Sequence, residues 1–199
     1  GGTHLTQEDV SVARSVPNLS IIAPCDPNEL REAVKFCVNK SQRPVYLRIG
    51  KTGEKNFSDK KTEKWEFGKL RKLNKGKDLC FLSFGPIISK AFDLSKKLSS
   101  KNITSEIFSC HTLKPFDYKT LRQIFKKFKR IIVIEDHSKI GGLAAIVKQH
   151  AFEASFKGRI ISFSLKDEFI NCFGNQQDLL DLHGIRNENI YNSIIKFIK

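Results

Sequence analysis

From residue 78 onward, short apolar runs alternate with amphipathic segments, and this alternation constrains the fold more than any other feature of the sequence. The apolar runs have the length of buried strands and occupy residues 78–85, 102–109, 130–135 and 159–165. Segments with apolar residues at helical spacing separate them, at residues 86–98, 115–128 and 141–154. This order predicts an α/β fold with a mostly parallel sheet covered on both faces. We therefore expect residues 78–199 to form a complete small domain.

Residues 1–50 show the same alternation but supply only two candidate strands, at residues 19–24 and 44–50. Thr6 is expected to cap a first helix over residues 7–16. Two strands are too few for a sheet that is stable by itself. We interpret this segment as part of a domain that precedes the complete one.

The second helix of this segment follows Asp26, a favourable N-cap, and has Pro27 at its first position. Its apolar residues recur at helical spacing and predict a buried stripe. The stripe consists of Leu30, Ala33, Val34 and Val38.

The apolar pattern fails over residues 51–77, where Lys, Glu, Asp, Gly and Asn dominate. Such a composition is typical of a tethered connection, so we predict a basic linker with a short hairpin around residues 64–73. Trp65 is expected to pin this linker to a domain surface rather than to bind a ligand.

The formal net charge of +14 raises the question of nucleic-acid binding, because clustered cations neutralise phosphates. The lysines are spread over expected helix surfaces and are concentrated only in the linker. No zinc-finger spacing or RNP-like aromatic strand accompanies them. We therefore expect no nucleic-acid partner.

The five cysteines are odd in number, lack a C-x-x-C pair and lie mostly beside or within apolar runs. This usage is typical of small buried side chains in a reduced chain and predicts a cytoplasmic protein without a metal site. No apolar run approaches the roughly 20 residues that span a bilayer, so no membrane partner is expected.

The first candidate functional residue is His4, which follows two glycines and a threonine on the loop that enters the first helix. Loops at strand ends are where open α/β sheets bind ligands. An imidazole there could donate to a substrate oxygen or transfer a proton. The alternative is a frayed terminal histidine without a role.

The second candidate is Arg48, a guanidinium in an otherwise apolar strand. Its fork of donors suits a carboxylate or a phosphate. Substrate binding and structural pairing with a buried acid are equally compatible with this position.

The third candidate comprises residues 134–143, where Glu135, Asp136 and His137 end a strand and two glycines precede a helix. This pattern suits either a ligand site or a loop that contacts another domain. The two glycines match no known phosphate-binding motif, so they are weak evidence for a phosphate site. His111, His150 and His183 show no partner pattern and are interpreted as solvated or structural.

Beyond these single residues, the order T-H, E-D, P-N-L and P-x-D-x-x-E over residues 3–29 resembles transketolase-like, thiamine-diphosphate-dependent enzymes. In that family the run belongs to the latter half of the pyrimidine-binding domain, and residues 44–51 resemble its last strand. The E-D-H and G-G-L run after residue 134 is similar to the family's C-terminal domain. The resemblance thus implies a partial pyrimidine-binding domain over residues 1–50, the linker, and a C-terminal domain over residues 78–199.

The resemblance also implies roles for two residues. His4 matches a histidine that contacts the donor substrate's oxygen near the thiazolium carbon, so it is the expected catalytic and substrate-binding residue. Arg48 matches a strand arginine that binds a sugar phosphate. Residues 135–137 match a loop for which packing against a neighbouring domain is the expected role.

The family's cofactor-activating glutamate, its ring-stacking aromatic residues and its G-D-G pattern have no counterpart in this sequence. The cofactor-binding residues are therefore expected upstream of residue 1 or on a partner chain. The resemblance implies thiamine diphosphate and Mg²⁺ in the intact enzyme and neither bound by this chain alone.

We conclude from the resemblance that the chain is the C-terminal portion or a subunit of a transketolase. The parent would transfer a two-carbon ketol unit between sugar phosphates and act as a homodimer together with an N-terminal region or subunit. Deoxyxylulose-phosphate synthase and the beta subunit of a 2-oxoacid dehydrogenase are alternative reactions. A non-catalytic dimerisation module is the alternative from another class.

Overall fold

The computed structural model describes residues 7–50, 53–58, 62–169 and 173–198. The helices in this part of the chain are α1 Asp9–Ser15, α2 Pro27–Asn39, α3 Ile88–Ser99, α4 Tyr118–Lys127, α5 Leu143–Glu153, α6 Gln176–Leu182 and α7 Asn187–Ile198. The strands are β1 Ser20–Ile22, β2 Val45–Leu47, β3 Arg71–Asn74, β4 Leu79–Ser83, β5 Ser105–Ser109, β6 Thr112–Lys114, β7 Arg130–Ser138 and β8 Arg159–Leu165. Thr6, the predicted cap of α1, lies outside the described residues.

The larger sheet has five strands in the order β3-β5-β4-β7-β8. The β4 strand runs parallel to both β5 and β7, and β7 runs parallel to β8, while β3 is antiparallel to β5. Every residue of β4 and β5 is buried, as expected for parallel strands covered on both faces. The predicted α/β fold with a mostly parallel sheet is confirmed.

Alternate residues of the central strands face two different apolar cores, one on each side of the sheet. Leu82 and Val133 pack in the core that includes α4 and α5, whereas Phe81 and Ile132 pack in the core that includes α3 and α7. This alternation follows from the two-residue side-chain period of a strand. The α3 stripe predicted by helical spacing is buried at Ile88, Ala91, Leu94 and Leu98.

The smaller sheet has three strands in the order β2-β1-β6. Its two parallel strands, β1 and β2, pair with Ile21 opposite Tyr46. The third strand, β6, follows β5 in the chain and pairs antiparallel with β1, with Lys114 opposite Ile21. The β6 strand was not predicted, and it ties the first fifty residues to the second half of the chain.

The predicted stripe of α2 is wrong in part. Asp26 caps the helix as expected, because its Oδ1 accepts from the Glu29 amide at 2.8 Å. Val34 and Val38 are 43% and 77% exposed, whereas Glu29 and Ala33 are buried. The helix turns its Glu29 side inward because that carboxylate pairs with Arg71 of β3.

The β3 strand lies within the predicted linker and pairs with β5, so residues 64–73 do not form the expected local hairpin. Trp65 stacks on His111, with ring centroids 5.0 Å apart, and so fixes this segment against the domain surface as predicted. The division into domains at residues 50 and 77 stays a prediction.

Candidate functional site

A cavity of about 750 Å³ lies between the two sheets, where β2 and β7 end and α6 begins. The carboxyl ends of parallel strands are the usual ligand-binding edge of an α/β sheet. The polar lining includes Asp9, Arg48, Asp136, Gln176 and His183. The cavity therefore collects groups from both halves of the chain.

Arg48 directly follows β2 and is fixed by two hydrogen bonds. Its Nε donates to Asp9 Oδ2 at 2.9 Å, and its Nη2 donates to the backbone oxygen of Asp136 at 2.9 Å. The side chain is 18% exposed and lines the cavity. The structural pairing that the sequence left open is thus present, and the guanidinium still lies on the cavity wall.

Asp9 receives a second donor, since the Tyr46 hydroxyl binds the same Oδ2 at 2.8 Å. Burial, together with this hydrogen bond and the charge of Asp9, raises the pKa of Tyr46 to about 12. The phenol therefore stays protonated and remains a donor at neutral pH. Asp9 was not among the candidate residues from the sequence, although it belongs to the E-D motif at residues 8–9.

His137 lies within β7, which extends to Ser138, so residues 135–137 belong to a strand and not to a loop. Its Nε2 accepts from the Ser11 amide at 3.3 Å, and its Nδ1 contacts the Ser138 oxygen at 2.8 Å. Burial lowers the pKa of His137, which favours the neutral ring that this pattern requires. His137 therefore packs β7 against α1, in line with a contact between domains.

Glu135 caps the beginning of α5 from inside the protein. Its carboxylate accepts from the Leu143 amide at 2.6 Å and from the Ser164 hydroxyl at 2.7 Å. A Cβ on Gly142 would lie 2.3 Å from Glu135 Oε2, so the glycine leaves space for this carboxylate. Because a carboxylate of the same chain occupies this helix end, the glycines before α5 serve packing and do not form a phosphate cradle.

The remaining candidate from the sequence is His4. His4 lies outside the described residues, so its role stays a prediction. The first described residue, Gln7, lines the cavity, and its backbone oxygen accepts from the Ser138 amide at 2.7 Å. His183, which was interpreted from the sequence as solvated or structural, also lines the cavity, and its Nδ1 accepts from the Lys166 amide at 3.0 Å.

His111 and His150 lie away from the cavity lining and have structural partners. His111 is fully buried beside Trp65, and its Nδ1 lies 3.0 Å from Thr112 Oγ1. His150 Nε2 accepts from Arg122 Nε at 3.3 Å. Both agree with a structural interpretation.

The described residues do not fit thiamine diphosphate with its metal ion. Within this part of the chain no three His, Cys, Asp or Glu side chains are grouped so as to hold a metal. Among the described residues that line the cavity, no second Lys or Arg accompanies Arg48 to neutralise a diphosphate. No helix among the described residues is long and apolar enough to cross a membrane.

Comparison with known protein families decides the classification. Residues 68–190 match the family described as transketolase, C-terminal domain, and residues 1–53 match transketolase, pyrimidine binding domain. The chain belongs to the transketolase family. The expected arrangement of a partial pyrimidine-binding domain followed by a C-terminal domain is confirmed.

Two curated relatives of this transketolase-family chain carry different names. One of the subunits of apulose-4-phosphate transketolase from Phocaeicola vulgatus is 30% identical over 199 residues, which span all of this chain and 62% of that protein. The 1-deoxy-D-xylulose-5-phosphate synthase of Clostridium acetobutylicum is 31% identical over 99% of this chain and 32% of that protein. The chain thus spans between about a third and three fifths of these relatives and corresponds to a C-terminal portion of a transketolase-like protein.

Two solved structures share the fold of the transketolase-family chain. A split-gene transketolase, described as an inactive beta4 tetramer, superposes with a TM-score of 0.87 at 24% identity over all of this chain and 64% of that one. The transketolase of Campylobacter jejuni superposes with a TM-score of 0.65 at 16% identity over 98% of this chain and 29% of that one. At these identities the likeness shows the fold alone.

Proposed function

We propose that the chain is the C-terminal portion or subunit of a transketolase, whose complete enzyme transfers a two-carbon ketol unit between sugar phosphates. The observation that carries this proposal is the cavity with Arg48 on its wall, at the carboxyl ends of β2 and β7. A cavity of about 750 Å³ lies within the size range of small-molecule sites. The transketolase subunit among the relatives supports the same assignment.

Arg48 is the proposed contact for the phosphate of the sugar, because it is the cation on this wall and because arginine donors match phosphate oxygens. His4 is the proposed catalytic residue, which would stabilise developing charge on a substrate oxygen or assist proton transfer. In this proposal the chain supplies substrate contacts, and its own described residues perform no cofactor chemistry.

Thiamine diphosphate and Mg²⁺ are the proposed cofactors of the complete enzyme, where the cofactor supplies the reactive carbanion. Residues of an N-terminal region or partner subunit would hold them, since the described residues offer no metal site. We also propose a homodimeric assembly. A cytoplasmic location is supported by cysteines that are free thiols at residues 25, 37, 80 and 110.

A second candidate reaction is the formation of 1-deoxy-D-xylulose 5-phosphate. The 31% identity to a synthase of that name favours it over other members of the superfamily. Both reactions involve a phosphorylated sugar, so the same role of Arg48 would serve either one.

The kinetic test uses the complete enzyme with thiamine diphosphate, Mg²⁺, a ketose phosphate donor and an aldose phosphate acceptor. We expect His4→Ala to lower kcat and Arg48→Ala to raise KM for phosphorylated substrates. Kinetics unchanged in both variants would contradict the site assignment. Formation of 1-deoxy-D-xylulose 5-phosphate in place of ketol transfer would select the second reaction.

The cofactor test uses the chain alone in a calorimetric titration with thiamine diphosphate and Mg²⁺. We expect no heat of binding, because the described residues do not fit this group. Saturable binding would show that residues of this chain hold the cofactor and would refute their proposed location elsewhere.

A further inference from the structure

Arg48 is held in one orientation although it lies on the wall of a cavity. A free arginine side chain carries about 2 kcal/mol of rotamer entropy, which a ligand must remove when it binds. Here Nε and Nη2 are already engaged, by Asp9 Oδ2 and by the backbone oxygen of Asp136, each at 2.9 Å. Nη1 makes no hydrogen bond within the described part of the chain. It lies 3.9 Å from the Cβ position of Gly85, the residue before Pro86 of the cavity wall.

The carboxylate that holds Nε is itself fixed. Asp9 begins α1, its side chain is 7% exposed, and the Tyr46 hydroxyl donates to the same Oδ2. Its other oxygen, Oδ1, is buried and makes no hydrogen bond within the described residues, with His137 Nε2 4.0 Å away. A buried acceptor without a donor is costly. Asp9 thus leaves one buried oxygen without a donor while its other oxygen is held by Tyr46 and Arg48.

We propose that Asp9 is the positioning residue for Arg48. This inference rests on the proposed function, in which Arg48 contacts the substrate phosphate. Asp9 orients the guanidinium through Nε, the Asp136 oxygen fixes Nη2, and Nη1 remains as the nitrogen for a phosphate oxygen. Asp9 touches no substrate and acts only through Arg48.

Two effects of Asp9 on phosphate binding have opposite signs, so they can be separated. The negative charge of Asp9 opposes a second anion beside Arg48 and would weaken its binding. The hydrogen bond to Nε preorganises the guanidinium and would strengthen it. Asp9→Asn keeps a side-chain oxygen that can accept from Nε but removes the charge, whereas Asp9→Ala removes both.

The kinetic experiment compares a phosphorylated ketose donor with its unphosphorylated counterpart in the complete enzyme. For Asp9→Ala we expect KM for the phosphorylated donor to rise about tenfold, because Arg48 loses its preorganised orientation. KM for the unphosphorylated donor and kcat should change less than about threefold. For Asp9→Asn we expect KM for the phosphorylated donor to lie close to the wild-type value.

Three outcomes would overturn the inference. If Asp9→Asn and Asp9→Ala both lower KM for the phosphorylated donor, Asp9 acts by charge and not by position. If Asp9→Ala impairs both donors equally, its role is structural. If Asp9→Ala raises KM further in the Arg48→Ala background, Asp9 does not act through Arg48. The matched control is Glu8→Gln, an exposed carboxylate next to Asp9, which should leave both KM values unchanged.

A second measurement separates failure of this inference from failure of the proposed function. Inorganic phosphate is titrated into the ¹⁵N-labelled chain while the arginine Nε–H signal of Arg48 is followed by NMR. We expect a saturable shift that weakens about tenfold in Asp9→Ala and persists in Asp9→Asn. If ketol transfer is absent from the wild-type enzyme but this pattern holds, only the proposed function fails. If phosphate shifts the signal equally in wild type and Asp9→Ala, the positioning role is refuted.

Discussion

The two sheets of this chain have equally buried central strands but differ in the helices that cover them. In the five-stranded sheet, β4 and β5 are buried along their whole length, and in the three-stranded sheet the central strand β1 is buried as well. The edge strands β2 and β8 are partly exposed in both sheets. The helices differ, because the apolar stripe of α3 is buried whereas α2 exposes Val34 and Val38. An apolar stripe therefore becomes core only where another layer covers it.

A charged pair joins α2, the partly covered helix, to the larger sheet. Glu29 of α2 lies 3.3 Å from Arg71 of β3, and both side chains are buried. Within the smaller-sheet region, Lys114 of β6 donates to the backbone oxygen of Arg14 in α1 at 2.8 Å. Since α2 buries little of its apolar stripe, we expect its attachment to depend on the Glu29–Arg71 pair more than the attachment of α3 depends on any charge.

The largest effect is expected for Glu29→Ala, which leaves the buried Arg71 without its carboxylate partner, although Arg71 still donates to Glu63 and Thr62. Glu29 Oε2 also accepts from the Cys25 amide and the Ser109 hydroxyl, each at 2.9 Å. The variant should lower the free energy of unfolding by about 3–5 kcal/mol, measured by urea denaturation. The control Glu32→Ala breaks an exposed pair with Lys35 and should cost at most about 1 kcal/mol. Equal losses in the two variants would refute the dependence on the buried pair.

A slightly smaller effect is expected from a cavity in the covered sheet. Leu82 is fully buried in β4, so Leu82→Ala should lower the free energy of unfolding by about 2–5 kcal/mol. Val38→Ala, on the exposed side of α2, should change it by less than about 0.5 kcal/mol. Denaturation curves of both variants test the contrast between the regions, and a loss at Val38 comparable to that at Leu82 would break it.

The pH dependence of stability tests the buried Glu135, which accepts hydrogen bonds from α5 and β8 in the region of the larger sheet. Burial raises the pKa of Glu135 to about 7, above its ordinary value of 4.5, so the folded state binds this proton more tightly than the unfolded state. Its favourable contribution is complete below pH 4.5 and is lost as the pH rises through about 7. Wild type should therefore lose about 1–3 kcal/mol relative to Glu135→Gln over that range. If the free energy of unfolding changed with pH in the same way in both proteins, the raised pKa of Glu135 would be contradicted.

The smallest effect is expected for Tyr46→Phe, which removes one hydrogen bond to Asp9 but leaves the pair with Arg48. The free energy of unfolding should fall by about 0.5–1.5 kcal/mol. Thermal unfolding measures this change, and a loss as large as that of Glu29→Ala would show that Asp9 and Tyr46 form a single unit with Arg48.

The success of the sequence predictions follows the same contrast. The α3 stripe and the strands β4, β5, β7 and β8 were predicted because their apolar periodicity agrees with their burial. The β3 strand was interpreted as linker, since Arg71 is charged and its burial depends on Glu29. The β6 strand has only three residues, and its partner β1 is about ninety residues away in the chain.

Part of the candidate site could also be predicted from the sequence, and part of it depends on tertiary contacts. Arg48 was recognisable because a guanidinium in an apolar strand requires a partner, whatever that partner is. The identity of the partner, Asp9, depends on how α1 lies against β2, which no local pattern contains. His183 likewise reaches the cavity only through the placement of the segment around α6.

The sequence by itself determined the alternation of strands and helices, the mostly parallel sheet and the arginine at the end of β2. These features depend on side-chain periodicity and on the local cost of a buried charge, both of which can be read along the chain. The tertiary structure alone decided which face of α2 is buried, which strand completes the smaller sheet and which carboxylate holds Arg48. Those outcomes depend on contacts between residues far apart in the chain, where a charged pair can outweigh an apolar stripe.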